Sequence, residues 1–229
     1  MRMTLEIYQE RIDEIELYFN ALKELYQTQS RESEHLFYND DFLKILKANA
    51  LIMIYNLVES SIMGGILEIY DELRNSGYNY KDVRKEIQDI WFAFKFNQVY
   101  DKTAHYNSYR DKAAEIINAI MRNEPIEMDR KATDISGNLD ADKIRQICSD
   151  HGITYTIDSA CRGGVALEDV KNKRNQLAHG TTSFAECGRY YAINDLEKIK
   201  NETVIFLNSI LQGMKKYYDE KTYLKVANN

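Results

Sequence analysis

The sequence predicts an all-α protein: an antiparallel helical bundle that opens on a long N-terminal helix and carries a small insertion before its penultimate long helix. Three observations predict this class. One proline and ten glycines among 229 residues leave few places for sharp turns. Apolar residues recur at helical spacing over long stretches. Runs of β-branched residues of strand length are scarce.

The first helix spans residues 4–27. Leu5, Tyr8, Ile12, Ile15, Phe19, Leu22 and Tyr26 step by three and four in alternation, an apolar seam that suits a bundle helix or a helix that pairs with a partner. The polar run TQSRESEH (28–35) ends it. Asp40 or Asp41 caps a second helix over about 41–75. Its stretch ANALIMIYNLVESSIMGGILEIY is apolar almost all round, which predicts the central, most buried helix. Gly64 and Gly65 inside it cost helix stability and predict a close approach by a neighbour or a local bend. Glu59 is a carboxylate on this apolar surface, so it either meets a cationic partner or faces solvent.

A third helix runs from Asn79 or Tyr80 to Lys95, and a fourth from Ser108 to Asn123, with a break around 99–107 and Pro125 just beyond. Residues 124–160 read as the insertion. It holds a loop to 139, a short helix that starts near Leu139 or Asp140 and stops before Gly152, and a strand-like ITYTI (153–157). The motif helix follows over about 166–179. A connection over 180–193 leads to the last helix, capped by Asn194 with Glu197 in the capping-box position. Two units are therefore expected: an acidic amphipathic helix over 1–39 and a bundle over 40–229.

Charge narrows the partners. Residues 1–41 hold 4 Lys/Arg against 10 Asp/Glu, and the remainder balances at 26 against 26. No global positive field exists to bind nucleic acid, so any RNA contact is local. The acidic N-terminal helix fits a basic groove on a partner protein, or a regulatory cover over a site. The charge-free run Ala48–Val58 is far short of the ~20 residues of a membrane span, and the N-terminal residues lack the apolar core of a signal peptide. Three cysteines without CxxC spacing suit reduced thiols and a cytoplasmic location.

The stretch VKNKRNQLAHGTT (170–182) carries the chemistry. On a helix, Leu167, Val170, Arg174 and Leu177 share one face, so Arg174 lies on the apolar stripe, where a charge must be paired or must face a cleft or a partner subunit. Lys173 stands beside it. His179 follows in the last turn before Gly180. A guanidinium offers phosphate a rigid two-pronged donor, and an imidazole moves protons near neutral pH. Together they suffice for attack of a ribose 2′-hydroxyl on its own phosphodiester, His179 moving a proton and Arg174 stabilising the charge that develops on phosphorus. The products would be a 2′,3′-cyclic phosphate and a 5′-hydroxyl, and DNA, lacking the hydroxyl, would be spared. The chemistry requires no metal and no cofactor. The alternative is structural: Arg174 pairs with Glu59, and His179 favours the helix dipole.

The spacing occurs a second time, in Arg145 and His151, but in the short inserted helix. His35, His105 and His151 show no metal-ligand spacing. The chain contains no P-loop, no GxGxxG after a strand, no HExxH and no GxSxG. Gly163-Gly164 reads as a turn, or as a cluster of N–H groups open to a phosphate.

KNKRNQLAHG, an Arg-Asn-x-x-x-His core in the penultimate long helix, resembles the signature of the HEPN superfamily. ISGNLDADKIRQICSDHGI and ANALIMIYNLVESSI resemble the flanking parts of a bacterial branch of HEPN-like nucleases, and the resemblance covers roughly residues 40–215. It implies a bundle of four or five helices, metal-independent cleavage of RNA in toxin–antitoxin or antiphage defence, and an active site completed by a homodimer whose motif helices face each other. By position it makes Arg174 and His179 the catalytic pair, Asn175 the polar residue that supports it, and Glu59 an acidic residue that orients it. Some toxins of the family carry a tyrosine two residues after the histidine, where an antitoxin modifies it. Here that position is Thr181, which does not fit silencing by that route. Some members are non-catalytic binding modules. A helical interaction subunit of a defence complex is therefore the alternative function, and its acidic N-terminal seam fits.

Overall fold

The structure, a computed structural model, describes residues 1–31, 40–97, 106–133, 135 and 137–225. These hold eight α-helices: α1 (Arg2–Arg31), α2 (Asp40–Asn75), α3 (Lys85–Asn97), α4 (Tyr106–Met121), α5 (Ala141–His151), α6 (Ala166–Ala178), α7 (Phe184–Arg189) and α8 (Ile193–Asp219). Among the described residues there is no strand, only two isolated bridges, Asn79 with Pro125 and Val83 with Leu224. The all-α bundle expected from the sequence is the fold observed.

α2 is the axis. Its buried face runs from Leu43 through Leu51, Ile54, Tyr55, Val58, Ile62, Ile66 and Ile69 to Leu73, and α1, α6, α7 and α8 all pack on it. The helix is long and apolar enough to cross a bilayer, more so than its charge-free run suggests. Most of that apolar stretch is nevertheless buried inside the protein, so its surface is committed to the bundle. Gly65 explains one close contact: a Cβ there would fall 2.6 Å from Met214 Sδ of α8. Along α1, Tyr8, Ile15, Phe19 and Leu22 are buried. Tyr8 OH donates to Val204 O at 2.9 Å and Tyr18 OH to Leu46 O at 2.7 Å, so the seam packs on α2 and α8.

Four local expectations are corrected. Helix α3 starts at Lys85, because Gln88 Nε2 donates to Tyr80 O at 2.7 Å and Asp82 Oδ2 accepts from Asn79 N at 2.9 Å; side chains hold residues 79–84 in turns instead. ITYTI forms no strand: Ile153 is buried and Tyr155 and Ile157 pack on the core, but no second strand lies alongside to pair with. The 180–193 connection contains α7, started by Ser183 Oγ accepting from Glu186 N at 3.1 Å; six residues are too few to display a helical period. Helix α8 begins at Ile193, where Asp195 Oδ2 accepts from Ala192 N at 3.3 Å. The cap is Ala192, not Asn194. The greater part of the break expected around 99–107, together with His35 and His105, lies outside the described residues.

The inserted helix α5 does behave as its sequence suggests. Asp140 caps it by accepting from Lys143 N at 2.8 Å, and Gly152 closes it. His151, at its end, is 2% exposed. Its Nδ1 lies 2.7 Å from Ile147 O and its Nε2 2.8 Å from Tyr70 OH. The first contact requires a proton on Nδ1, and the second lets neutral Nε2 accept from the tyrosine. Burial depresses the His151 pKa, against weaker opposing contributions from Ile147 O and Asp150. A depressed histidine pKa means that the unfolded chain takes up the proton first. Stability is therefore whole above the unfolded pKa of about 6.5 and falls as pH drops below it, by up to ~1.4 kcal/mol per pH unit, until the folded pKa is reached. Thermal midpoints measured from pH 7.5 to 5 are expected to show this loss, and His151→Gln to flatten it.

Candidate active site on the motif helix

Helix α6 turns Leu167, Val170 and Leu177 into the core, and Arg174 extends the same stripe at its half-buried edge, its side chain 29% exposed. The burial of Arg174 is resolved by four neighbours. Its guanidinium lies 4.7 Å from the centre of the Tyr55 ring of α2. Its Nη1 donates to Asn175 Oδ1 at 3.0 Å and to Gly137 O at 3.3 Å. Its Nη2 lies 4.0 Å from Glu59 Oε2, beyond hydrogen-bond range. The donors on Nε and Nη2 thus have no acceptor among the described residues. These two atoms form the side-on fork that binds a phosphate or carboxylate with two parallel bonds.

The segment before α5 fastens this arrangement. Asn138 Oδ1 accepts from Asn175 Nδ2 at 2.7 Å. Leu139 N donates to Tyr55 OH at 3.1 Å. Asp140 Oδ2 receives Lys171 Nζ at 2.6 Å. Burial works against the Asp140 charge, but the Lys171 ammonium and the N–H groups of α5 outweigh it and hold the carboxyl below its ordinary pKa. Residues 137–140 therefore join α2, α5 and α6 in one cluster. Gly137 has φ +77°, and a Cβ there would lie 3.3 Å from Arg174 Nη1. Gly137→Ala is expected to cost about 1–2 kcal/mol through the left-handed backbone alone and to push the guanidinium aside. Thermal unfolding and the chemical shift of the Arg174 Nε–H report the two effects separately.

Glu59 is half-buried and sits between two arginines. Besides Arg174, Arg130 Nη2 donates to its Oε1 at 3.2 Å. Lys173 projects to the other flank of α6, with Nζ 6.0 Å from the centre of the exposed Tyr190 ring. His179 caps α6 at φ −88°, its N–H donating to Asn175 O at 2.9 Å. Its ring is exposed and has no hydrogen bond, ion pair or ring contact among the described residues. Five residues along a helix turn a side chain by roughly 140° and advance it by about 7.5 Å. Within one chain, Arg174 and His179 accordingly share no hydrogen bond; they occupy different sides of the same helix end.

The second Arg–His spacing does not form a site. Arg145 reaches Gly163 O and pairs with Asp142 at 2.9 Å, whereas His151 is enclosed in the core. The Gly163-Gly164 step is a left-handed turn together with Arg162, and the Arg162 fork is held by both oxygens of Glu202 at 2.9 Å. No group of three or more His, Cys, Asp or Glu side chains is placed to hold a metal among the described residues.

The MAE_28990-like HEPN family model matches residues 5–223. The chain is a HEPN protein. Ribonucleases are common in this superfamily, and non-catalytic members occur. No curated protein and no solved structure matches the chain significantly. The family match runs through α1 as well as the bundle, so the N-terminal helix lies within the HEPN region of this chain.

Tyr55, Gly137, Asn138, Asp140 and Arg130 complete the HEPN cluster and were not among the sequence candidates. A signal existed for Tyr55, which stands one turn before Glu59 on α2 and so shares its face. None existed for Arg130 or Asn138, which reach the cluster only through the fold.

Proposed function

We propose that this HEPN protein is a metal-independent endoribonuclease acting in the cytoplasm, in a toxin–antitoxin or antiphage defence system. Arg174 supplies the charge that stabilises the pentacovalent phosphate, and His179 moves the proton of the 2′-hydroxyl or of the leaving 5′-oxygen. The observation that carries the reading is the state of the pair. Among the described residues, the Arg174 fork is oriented by Tyr55, Asn175 and Gly137 while Nε and Nη2 make no hydrogen bond, Nη2 facing the Glu59 carboxylate at 4.0 Å, and the His179 ring has no partner. An arginine buried for packing alone would instead have its donors satisfied within the chain.

The 140° divergence within one chain supports a second copy. Two motif helices facing each other bring the arginine of one protomer towards the histidine of its partner, so the homodimer composes the groove. Asn175 and Glu59 orient Arg174, and Lys173 contacts the RNA backbone. The test is direct. Purified protein incubated with RNA and with DNA of the same sequence, each with EDTA, is expected to cut the RNA and spare the DNA. Intact RNA at high protein concentration would remove the assignment. That outcome would favour the second reading, a helical interaction subunit of a defence complex, for which the Arg174–Glu59–Tyr55 cluster is packing.

A further inference from the structure

Glu59 presents one carboxylate to two guanidinium groups. Arg174 approaches Oε2 from α6, and Arg130 holds Oε1 from the 3₁₀ turn Arg130–Thr133. The two arginines differ in their surroundings. Arg174 is half-buried, whereas the Arg130 side chain is 65% exposed. Apart from the single bond to Glu59, its N–H donors have no protein acceptor among the described residues. The turn that carries it is nonetheless fixed: Thr133 is buried and its Oγ1 donates to Arg130 O at 2.8 Å, and Met128 is buried just before it. Asp129 is occupied by Lys131 N at 2.7 Å. The cluster of Glu59, Arg130 and Arg174 keeps one net positive charge on its solvent side.

We infer that Arg130 is a second phosphate-binding residue, which holds the RNA phosphodiester neighbouring the one at Arg174. This inference rests on the ribonuclease reading and deepens it. A surface ion pair serving stability alone contributes about 0–1 kcal/mol and needs no anchored turn and no open fork. The geometry here suits a guanidinium that is oriented from behind by Glu59 and presents its free edge to a polyanion. The two guanidinium groups meet opposite oxygens of one carboxylate, so one strand can lie across both, and contacts to its backbone confer no base preference.

The test uses an all-2′-O-methyl RNA oligomer, which lacks the nucleophile and cannot be cut by this chemistry. Its Kd is measured against salt concentration for the full chain and for variants. Arg130→Gln, which can still bond Glu59, is expected to weaken binding by about 3- to 10-fold at low salt and to reduce the slope of log Kd against log salt by about 0.7, the share of one phosphate contact on a single strand. The control is Arg74→Gln, which breaks the similar Arg74–Asp71 pair at 2.7 Å about 22 Å further along α2; it should leave both quantities unchanged. The decisive arm repeats Arg130→Gln in a Glu59→Gln background. A phosphate contact persists there, so the loss of slope remains. If it vanishes, or if Arg130→Gln alone leaves Kd and slope as in the parent, Arg130 serves only Glu59 and the inference is overturned. Failure of the parent itself to bind the oligomer would overturn the ribonuclease reading, an outcome visible without any variant.

Discussion

Replacement of His179 by alanine is expected to reduce RNA cleavage by about 10²–10⁴-fold, the usual contribution of a positioned acid–base group. The expected change in stability is small. The ring is exposed and makes no hydrogen bond or ion pair among the described residues, and surface substitutions of that kind shift stability by about 0.5 kcal/mol or less. The two expectations together make the variant informative, because lost activity with an unchanged thermal midpoint cannot be attributed to unfolding. Single-turnover cleavage in EDTA, with melting curves for parent and variant, checks both. Full activity in the variant would remove His179 from the mechanism.

Arg174→Ala is expected to lower cleavage by about 10²–10³-fold, as does removal of a donor aimed at developing charge. Here stability should fall as well, by about 1–2 kcal/mol. The variant strips the Tyr55 ring of its cation, leaves Gly137 O without its donor and frees Glu59 from one of its two cationic neighbours. Arg174→Lys separates the roles: it keeps the charge but lacks the fork, so it should recover part of the stability and little of the rate. If two copies compose the site, mixing the inactive Arg174→Ala and His179→Ala proteins should restore measurable cleavage, since a mixed dimer holds one intact residue of each kind. Activity that stays at the level of the separate variants would argue for a site contained in one chain.

The fold was legible in this sequence wherever a periodic signal ran for several turns. The seam of α1, the nearly all-apolar α2 and the capped α5 each combine a clear period with a recognisable end. Helix α7 was missed because fewer than two turns cannot display a period, and the start of α3 was misjudged because side chains of Gln88 and Asp82 outcompete helical bonding over 79–84. The candidate site was half legible. Arg174 stood out as a charge on a stripe of Leu167, Val170 and Leu177, and it sits at the buried edge of that stripe. Its surroundings were not legible. Gly137 and Asn138 lie some forty positions earlier in the chain, and Arg130 lies further still. Only the docking of the insertion across α2 and α6 brings them to Arg174. Periodicity places residues on a face; it does not state which loop closes over that face.

In the proposed mechanism, a guanidinium and an imidazole of this HEPN protein turn a ribose hydroxyl on its own phosphate. End-group analysis of cleaved RNA tests it most directly. Mass spectrometry of the fragments made in the presence of EDTA is predicted to show 2′,3′-cyclic phosphates, or the monophosphates formed from them, and 5′-hydroxyls. Fragments that carry 5′-phosphates and free 3′-hydroxyls would require an external water as the nucleophile and would contradict the account.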